Sequence, residues 1–287
     1  MIADLKELWR FRELLFAMVE REIRIRYKNS VFGFLWSLAM PLATVAVMTL
    51  VFQGILGNST RNYSAYVLAA YLPFVFVNMA LMDSAQSVLA SLQVVKKVYF
   101  PREILPLASV IANFIHFVLA LGVFIVYLFY IWASSGFEVS PFTWKLGFLP
   151  VLLFFVFCFV TGCSLIISAL NVFYEDVKYA LSLLLYLIFF VSPVMYFSEA
   201  VWFRTRNKPN GDLIYYLFHA NPLAPMVSTF RKTLLPSSQV DIGGGILVSQ
   251  QNFNWSFFAY FAFISVAALI GGYAVFNRMK WRFVERP

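Results

Sequence analysis

The 287-residue chain is 61% hydrophobic and only 13% charged, with a formal net charge of +8 and a mean hydropathy of +0.77. Soluble domains have roughly 45–50% apolar and about 25% charged residues, so this composition excludes a soluble globular protein. The apolar runs are long and continuous rather than alternating, which favours membrane-spanning helices over a β-barrel. Basic residues cluster at the ends of these runs, a pattern that suits anionic lipid headgroups and not a nucleic acid.

Residues 1–30 precede the apolar part of the chain and are predicted to form a cytoplasmic amphipathic helix with a basic end. Apolar residues from Leu5 to Ile23 recur every three or four positions, and charged residues fill the opposite side. This pattern is typical of a helix that lies in the membrane interface. A soluble helix packed on a partner is the alternative. Residues 31–287 are predicted to form the membrane domain.

The first membrane span is predicted to follow this basic end directly. Arg21, Arg24, Arg26 and Lys28 lie close together, and no ionisable residue follows until Arg61. A run of about 20 apolar residues crosses the hydrocarbon core as a helix, and its basic flank stays in the cytoplasm. The six predicted spans cover about residues 31–56, 66–89, 107–132, 146–170, 179–196 and 253–276. An even number of spans places both termini in the cytoplasm, as do the positions of most basic residues.

Two connecting segments are more than simple turns. Residues 91–106 are predicted to form a cytoplasmic loop that is stiffened by prolines. Residues 194–252 are predicted to hold two short re-entrant helices and a mobile loop on the outer side. The two apolar pieces of this segment, 194–203 and 213–235, are shorter than most spans, and the second is broken at Asn221–Pro222. The whole chain is therefore predicted to be an all-α membrane protein.

The sequence contains no motif for catalysis, nucleotide binding or metal binding. No GxxxxGK[ST] stretch is present, so no phosphate-binding loop is predicted. Cys158 and Cys163 lie in one apolar run and are predicted to be core residues, and His116 and His219 have no metal-ligand spacing. Asp83 is an unusual acid within a predicted span. It either pairs with a basic residue of the entry region or lies near the cytoplasmic end of a long helix.

Four further blocks of sequence occur in a recognisable order. They are Arg26–Trp36 together with Pro41, Lys97–Glu103, Ser192–Tyr196, and Asn221–Pro225 followed by Phe230–Arg231. With six spans, they resemble the ABC-2 type permeases that export bacterial surface polysaccharides, among them O-antigen, capsule and wall teichoic acid. The resemblance covers essentially the whole chain. One position departs from the family, which usually has Arg-Asp after the fourth span where this chain has Glu175–Asp176.

The resemblance implies a homodimer in the bacterial plasma (inner) membrane that works with two copies of a separate ATPase subunit. ATP and Mg²⁺ would bind that subunit, so this chain would be a transport subunit without a cofactor and not an enzyme. The substrate would be a polysaccharide, as in lipopolysaccharide biosynthesis, or a teichoic acid on an undecaprenyl-diphosphate carrier. The expected partners are therefore a second copy, the ATPase, the lipid-linked polymer and membrane lipids, with no nucleic acid.

The resemblance also assigns candidate residues to the cytoplasmic side. A basic entrance suits a pyrophosphate headgroup, although positive-inside topology alone also explains basic flanks. The candidates for this entrance are Arg24, Arg26, Lys28, Lys96, Lys97 and Arg102. The candidates for coupling to the ATPase are Tyr99, Phe100, Pro101, Arg102 and Glu103.

Candidate residues for the polymer path and its outer end follow in the same way. Sugars stack on aromatic faces, although most aromatic residues of membrane proteins face lipid or lie in interface belts. The candidate channel-lining residues are Phe34, Trp36, Tyr186, Phe190 and Tyr196. The candidate residues of an external gate are Pro193, Asn221, Pro222, Pro225 and Arg231.

Three other functions remain open at the level of the sequence. An ABC-2 exporter of small hydrophobic molecules would need neither the long outer segment nor a basic entrance. A membrane enzyme of lipid-linked sugar assembly would need fixed outer acids or bases, and the outer acids Glu138, Glu199, Asp212 and Asp241 form no paired motif. A non-catalytic scaffold would leave the re-entrant segment unexplained.

Overall fold

The structure is a computed structural model of the chain, and helices make up most of it. It describes residues 2–27, 35–95, 97–134, 140, 142, 144–236, 239–242 and 245–284. Within these ranges the β-structure is one two-stranded ladder.

The helices follow one another along the chain with short connections. They are α1 (Ile2–Arg10), α2 (Arg12–Tyr27), α3 (Leu35–Thr49), α4 (Tyr63–Ala90), α5 (Leu92–Val95), α6 (Ile104–Ser134), α7 (Leu149–Phe173), α8 (Val177–Val191), α9 (Ser198–Thr205), α10 (Gly211–Ala220), α11 (Leu223–Leu234) and α12 (Trp255–Met279). A π-helix over Leu50–Ile55 continues α3, and 3₁₀-helices cover Trp144–Phe148 before α7 and Lys280–Val284 after α12.

Four helical segments are long and apolar enough to cross a membrane. They are Tyr63–Ala90, Ile104–Ser134, Trp144–Phe173 and Trp255–Phe283. At about 1.5 Å per residue each exceeds the roughly 30 Å of hydrocarbon core. Two shorter apolar helices, Ala39–Ile55 and Val177–Val191, fall in the segments predicted for the first and fifth spans. The predicted all-α membrane class is confirmed, while the total of six spans and the side of the termini stay predictions.

The predicted N-terminal amphipathic helix is present as two consecutive helices, α1 and α2, with a turn at Phe11. Part of its apolar stripe packs on the chain itself. Leu8 and Phe11 contact the cluster around Phe100, and Val19 packs with Ala108 and Ala112 of α6. Other stripe residues, Trp9 and Phe16 among them, are exposed. The segment is therefore docked onto the membrane domain along one side.

Helix α4 forms the centre of the molecule. In its most apolar 18-residue window 72% of the residues are buried, against 22% for α6 and 17% for α12. Helices α3, α6, α7, α8 and α11 all contact it. The apolar surfaces of α6 and α12 that remain exposed are the surfaces expected to face lipid or another chain.

Helices α7 and α12 approach each other closely at two glycines. A Cβ atom on Gly272 would lie 2.1 Å from the carbonyl oxygen of Gly162, and one on Gly162 would lie 2.2 Å from the carbonyl oxygen of Ala268. No side chain fits at either distance. Small residues at such crossings let helix backbones pack tightly within a membrane, so this pair of glycines sets the spacing of α7 and α12.

The segment between α8 and α12 contains three short helices, α9, α10 and α11, and not the two that the sequence predicts. The second predicted piece is split at Asn221, whose extended backbone (ψ 115°) ends α10, as is usual before a proline. The Asn221 side chain then accepts a hydrogen bond from the backbone N–H of Leu223 at 3.1 Å and donates one to Ser192 Oγ at 3.0 Å. The break is thus a stabilised junction between α10, α11 and the end of α8.

The segment after α11, predicted to be a mobile loop, contains a β-hairpin. Strands β1 (Gln239–Asp241) and β2 (Leu247–Ser249) pair in antiparallel register. Asp241 is buried, and its carboxylate accepts hydrogen bonds from the backbone and hydroxyl of Ser59, both at 2.9 Å. Thr60 accepts one from the backbone N–H of Asp241 at 2.8 Å. The sequence does not reveal this hairpin, because these partners lie about 180 residues earlier in the chain. The predicted mobility stays a prediction.

The glycine contact leads to a test with a matched neighbour. Gly272→Ala should destabilise the protein by at least about 1–3 kcal/mol, because the added methyl must push the α7 backbone away. Gly271→Ala is the control, since nothing lies within 4 Å of its Cβ position and alanine favours a helix by up to about 1 kcal/mol. Thermal unfolding in detergent should show a lower melting temperature for the first variant only. Equal melting temperatures would refute the close contact.

Candidate functional site

A cavity of about 830 Å³ opens between α3, α4, α6 and α8. Aromatic side chains from all four helices line it, namely Trp36, Tyr71, Phe74, Phe76, Phe117, Tyr186, Phe189 and Phe190. Trp36, Tyr186 and Phe190 are 55%, 62% and 50% exposed. These three predicted channel-lining residues therefore meet in one cavity, which we call the inner cavity, with much of their ring surface accessible.

The aromatic residues of α8 contact one another along the helix. Tyr186 and Phe190 lie one turn apart, and their ring centroids are 5.2 Å apart in an edge-to-face arrangement. Phe189 contacts Phe190 at 5.4 Å and Phe74 of α4 at 5.1 Å. Such contacts hold rings in fixed orientations, so this wall of the inner cavity is a preformed aromatic surface.

Four polar residues meet beside this aromatic lining. Arg26 of α2 forms an ion pair with Asp83 of α4. Asn113 of α6 donates a hydrogen bond from Nδ2 to the same carboxylate oxygen of Asp83 at 2.8 Å. Arg26, Asn113 and His116 line the inner cavity. We call Arg26, Asp83, Asn113 and His116 the polar rim. Of the two sequence interpretations of Asp83, pairing with the entry region is the one observed.

A buried arginine holds the non-helical segment between α8 and α9. Arg231 is 3% exposed. Its guanidinium donates to the carbonyl oxygens of Pro193 (3.0 Å), Val194 (2.9 Å) and Tyr196 (3.1 Å), and its Nε donates to that of Tyr66 at 3.1 Å. Burial lowers the pKa of Arg231 to about 10, which leaves it protonated at neutral pH. One cation therefore satisfies four buried carbonyls.

A second ionic contact lies next to Arg231 on α11. Lys232 is 3.4 Å from Oε1 of Glu199 on α9, and both are buried. Burial lowers the pKa of Lys232, and the carboxylate of Glu199 opposes that shift. The backbone N–H of Gln251 donates to the same oxygen at 3.1 Å. These contacts tie α9, α11 and the segment before α12 together.

A second cavity of about 660 Å³ is lined by residues of α9, α10, the π-helix and the hairpin. Tyr196, a predicted channel-lining residue, lies there and not in the inner cavity. The lining residues described for the two cavities do not overlap. Along α4, the Arg231 contact at Tyr66 comes just beyond Tyr71 of the inner cavity. The Arg231 contacts thus lie at the end of the aromatic lining opposite the polar rim.

Comparison with known proteins identifies the family of this chain. The sequence model of the ABC-2 type transporters matches residues 13–235. The chain belongs to the ABC-2 type transporter family. This confirms the family resemblance, and with the long apolar helices it makes the chain a multi-pass protein of the plasma membrane.

Individual members of the ABC-2 family are also similar to the chain. The O-antigen export system permease protein RfbA of Klebsiella pneumoniae is 28% identical over 95% of this chain and 94% of its own length. The RfbA protein of Myxococcus xanthus is 30% identical over 68% of this chain and 73% of its own. The polysialic acid transport protein KpsM of Escherichia coli is 24% identical over 77% of this chain and 80% of its own.

Among the predicted entrance residues that the structure describes, only Arg26 lines the inner cavity. Arg24 pairs with Glu20 on its own helix, and Lys97 is exposed. Arg102 donates to the carbonyl oxygen of Lys280. Lys28 and Lys96, together with the aromatic candidate Phe34, lie outside the described residues.

The predicted coupling segment joins three parts of the chain. Tyr99 is exposed, and its hydroxyl donates to Glu7 of α1 at 2.9 Å. This bond raises the pKa of Tyr99 above its usual value. Phe100 is buried beneath, and the buried Glu103 accepts a hydrogen bond from Lys280 at 2.7 Å. The loop is therefore fixed to both the N-terminal and C-terminal segments.

The predicted gate residues converge around Arg231. Pro193 is one of its carbonyl partners, and Asn221 bonds to the adjacent Ser192. Pro222 precedes α11, and Pro225 accepts a hydrogen bond from Thr229 at 2.6 Å within that helix. Sequence reasoning missed the Glu199–Lys232 pair and the role of Asn113. A polar residue in an apolar helix was the available signal for Asn113.

Replacement of Arg231 should strongly destabilise the segment from α8 to α11. Arg231→Met would leave the carbonyls of Pro193, Val194, Tyr196 and Tyr66 without their donor, at about 1–3 kcal/mol for each buried group. Arg204→Met is the control, because Arg204 is exposed and makes one long hydrogen bond to Ile242 at 3.3 Å. Thermal unfolding in detergent should show a large decrease in melting temperature for Arg231→Met and little change for the control. A melting temperature unchanged in both would contradict the assignment.

Proposed function

We propose that this chain is the membrane-spanning permease of an ATP-driven exporter that moves a polysaccharide or teichoic acid, linked to undecaprenyl diphosphate, from the cytoplasmic to the outer side of the plasma membrane. The observation that carries this proposal is the inner cavity, which joins exposed aromatic faces to a basic group. RfbA and KpsM, whose names describe O-antigen export and polysialic acid transport, support the same class of substrate.

The lining of the inner cavity suits a sugar chain. Pyranose rings present C–H groups that pack against aromatic faces, while their hydroxyl groups need only scattered polar partners. Trp36, Tyr186 and Phe190 supply such faces, and Thr44 and Asn78 supply polar groups among them. Binding by shape and stacking leaves a polymer free to slide, because no single hydrogen bond must be remade in one fixed register.

The inner cavity is an open cleft, which supports a homodimer. Two of its walls, α3 and α8, carry exposed apolar side chains such as Met40, Leu183 and Leu187. Interfaces between membrane helices form by packing such surfaces. A second copy placed against them would close two clefts into one channel.

Energy for transport would come from a separate ATPase that binds ATP and Mg²⁺. The coupling segment offers a contact for it, because Tyr99 is exposed while Phe100 and Glu103 below it are buried. A force on this segment would pass to α1 through Glu7 and to the C-terminal segment through Lys280. In this proposal both termini lie in the cytoplasm, six spans cross the membrane, and α9 to α11 form the outer gate.

The two main alternatives explain less of the chain. An exporter of small hydrophobic molecules would have no use for a cation beside the aromatic lining. An enzyme of lipid-linked sugar assembly would need acids or bases open to substrate. Among the outer acids that the structure describes, Glu199 is engaged with Lys232 and Asp241 with Ser59. Asp212 is exposed in the first turn of α10, and a single open acid is not the pair that such an enzyme needs.

The proposal is tested by depletion of this protein in its host, followed by mass spectrometry of undecaprenyl-linked lipids. We expect finished polymer on its carrier to accumulate inside while surface polymer falls. Accumulation of single-unit precursors would assign the chain to assembly enzymes. No change in either pool would favour the exporter of small hydrophobic molecules.

Complementation of the depleted strain tests the aromatic lining. A triple alanine variant at Trp36, Tyr186 and Phe190 should reduce export by at least about tenfold, since each aromatic contact contributes roughly 0.5–1.5 kcal/mol. The control replaces Trp144, Tyr130 and Phe263, which are 83%, 68% and 73% exposed and line neither cavity described here. Equal export by both variants would exclude a stacked sugar path.

A further inference from the structure

The polar rim brings three separate helices to one carboxylate. Arg26 ends α2, Asp83 lies on α4, and Asn113 lies on α6. The guanidinium of Arg26 and the amide of Asn113 both donate to a single oxygen of Asp83. A second bond from the same Asn113 amide, to the carbonyl of Ser109 at 2.9 Å, fixes its orientation. Two donors thus point at one position, which the carboxylate of Asp83 occupies.

This ion pair is not what attaches α2 to the membrane domain. Val19 of α2 is buried against Ala108 and Ala112 of α6, two turns before Arg26. Those apolar contacts dock the helix without help from a charge. The protein does not enclose the ion pair, because the side chains of Arg26 and Asp83 remain 24% and 41% exposed. Ionisable groups within membrane helices usually mark functional sites.

The position of the pair points to a ligand of the inner cavity. Arg26, Asn113 and His116 line that cavity, so an anion entering it meets the same donors that Asp83 occupies. Phosphate oxygens accept the same hydrogen bonds as a carboxylate, and arginine binds both in a bidentate manner. A phosphate that takes the place of Asp83 would accept hydrogen bonds from the same two donors, while the Asp83 carboxylate would turn away from it.

We propose that Arg26 and Asn113 form a binding site for a phosphate ester at the edge of the inner cavity, and that the carboxylate of Asp83 occupies this site until the phosphate displaces it. The site rests on the proposed function for its substrate, the diphosphate of a lipid-linked polymer. A phospholipid headgroup carries the same chemistry. Asp83 then makes the site selective, because an anion that binds the two donors more weakly than this carboxylate cannot displace it.

The test depends on the opposite effects expected from the two halves of the ion pair. Arg26→Gln removes the cationic donor and should weaken phosphate binding at least about tenfold. Asp83→Asn removes the competing anion and should strengthen it about threefold to fivefold. If the ion pair had only a structural role, both variants would change phosphate binding in the same direction. Two variants that both weaken binding, or both leave it unchanged, would overturn the proposal.

The measurement is equilibrium binding of undecaprenyl diphosphate to the purified full-length chain in phosphatidylcholine nanodiscs. Arg21→Gln and Glu22→Gln serve as controls, because this pair lies on the same helix at 3.1 Å and lines neither described cavity. Neither control should change binding. If Asp83→Asn fails to fold, Asp83→Ser replaces it in the same comparison. Asn113→Leu should weaken binding without any change of charge, and an unchanged affinity would remove it from the site.

A parallel titration with phosphatidylglycerol separates the two sources of phosphate. Preference for undecaprenyl diphosphate that is lost in Arg26→Gln supports recognition of the export substrate. Equal affinities with opposite effects of the two variants support a phosphate site filled by bulk lipid. If the two variants have opposite effects but depletion causes no accumulation of finished polymer, the phosphate site stands and the export function is rejected. If depletion causes that accumulation but the variants do not have opposite effects, the export function stands and the phosphate site is rejected.

Discussion

The segment from α8 to α11 depends on the requirement that buried backbone carbonyls have a donor. The chain leaves helical geometry between α8 and α9, at Ser192 to Phe197, so carbonyl oxygens there lose their helical N–H partners. Arg231 supplies donors to Pro193, Val194 and Tyr196, and it bonds to Tyr66 of the central helix as well. The buried cation therefore holds this irregular backbone in place beside α4.

The two ends of the aromatic lining are held in different ways. At the end opposite the polar rim, Arg231 is buried and bonded to neutral carbonyls, so its contacts are hard to exchange. At the polar rim, Arg26 is partly exposed and bonded to a carboxylate, which another anion can replace. This asymmetry suits directional passage in the proposed exporter. A charged headgroup would be admitted where the arginine is exchangeable, and the path would be closed where the arginine is fixed.

The sequence predicts the class of the molecule well because composition and apolar length decide it. It also predicts the break at Asn221–Pro222, where proline chemistry acts locally. It does not predict which basic residue pairs with Asp83, the hairpin at Asp241 or the carbonyl partners of Arg231. Each of these contacts joins residues more than 30 positions apart. The resemblance groups Trp36, Tyr186 and Phe190, but their shared cavity depends on the packing of α3 and α8 against α4.

In the proposed exporter, the polymer passes through the inner cavity. A photoreactive phenylalanine analogue placed at Tyr186, and separately at Phe263 on an exposed face of α12, tests it in cells that are exporting polymer. Illumination should attach lipid-linked polymer to the protein at position 186 and not at position 263. No adduct at position 186, or equal adducts at both, would contradict passage through this cavity.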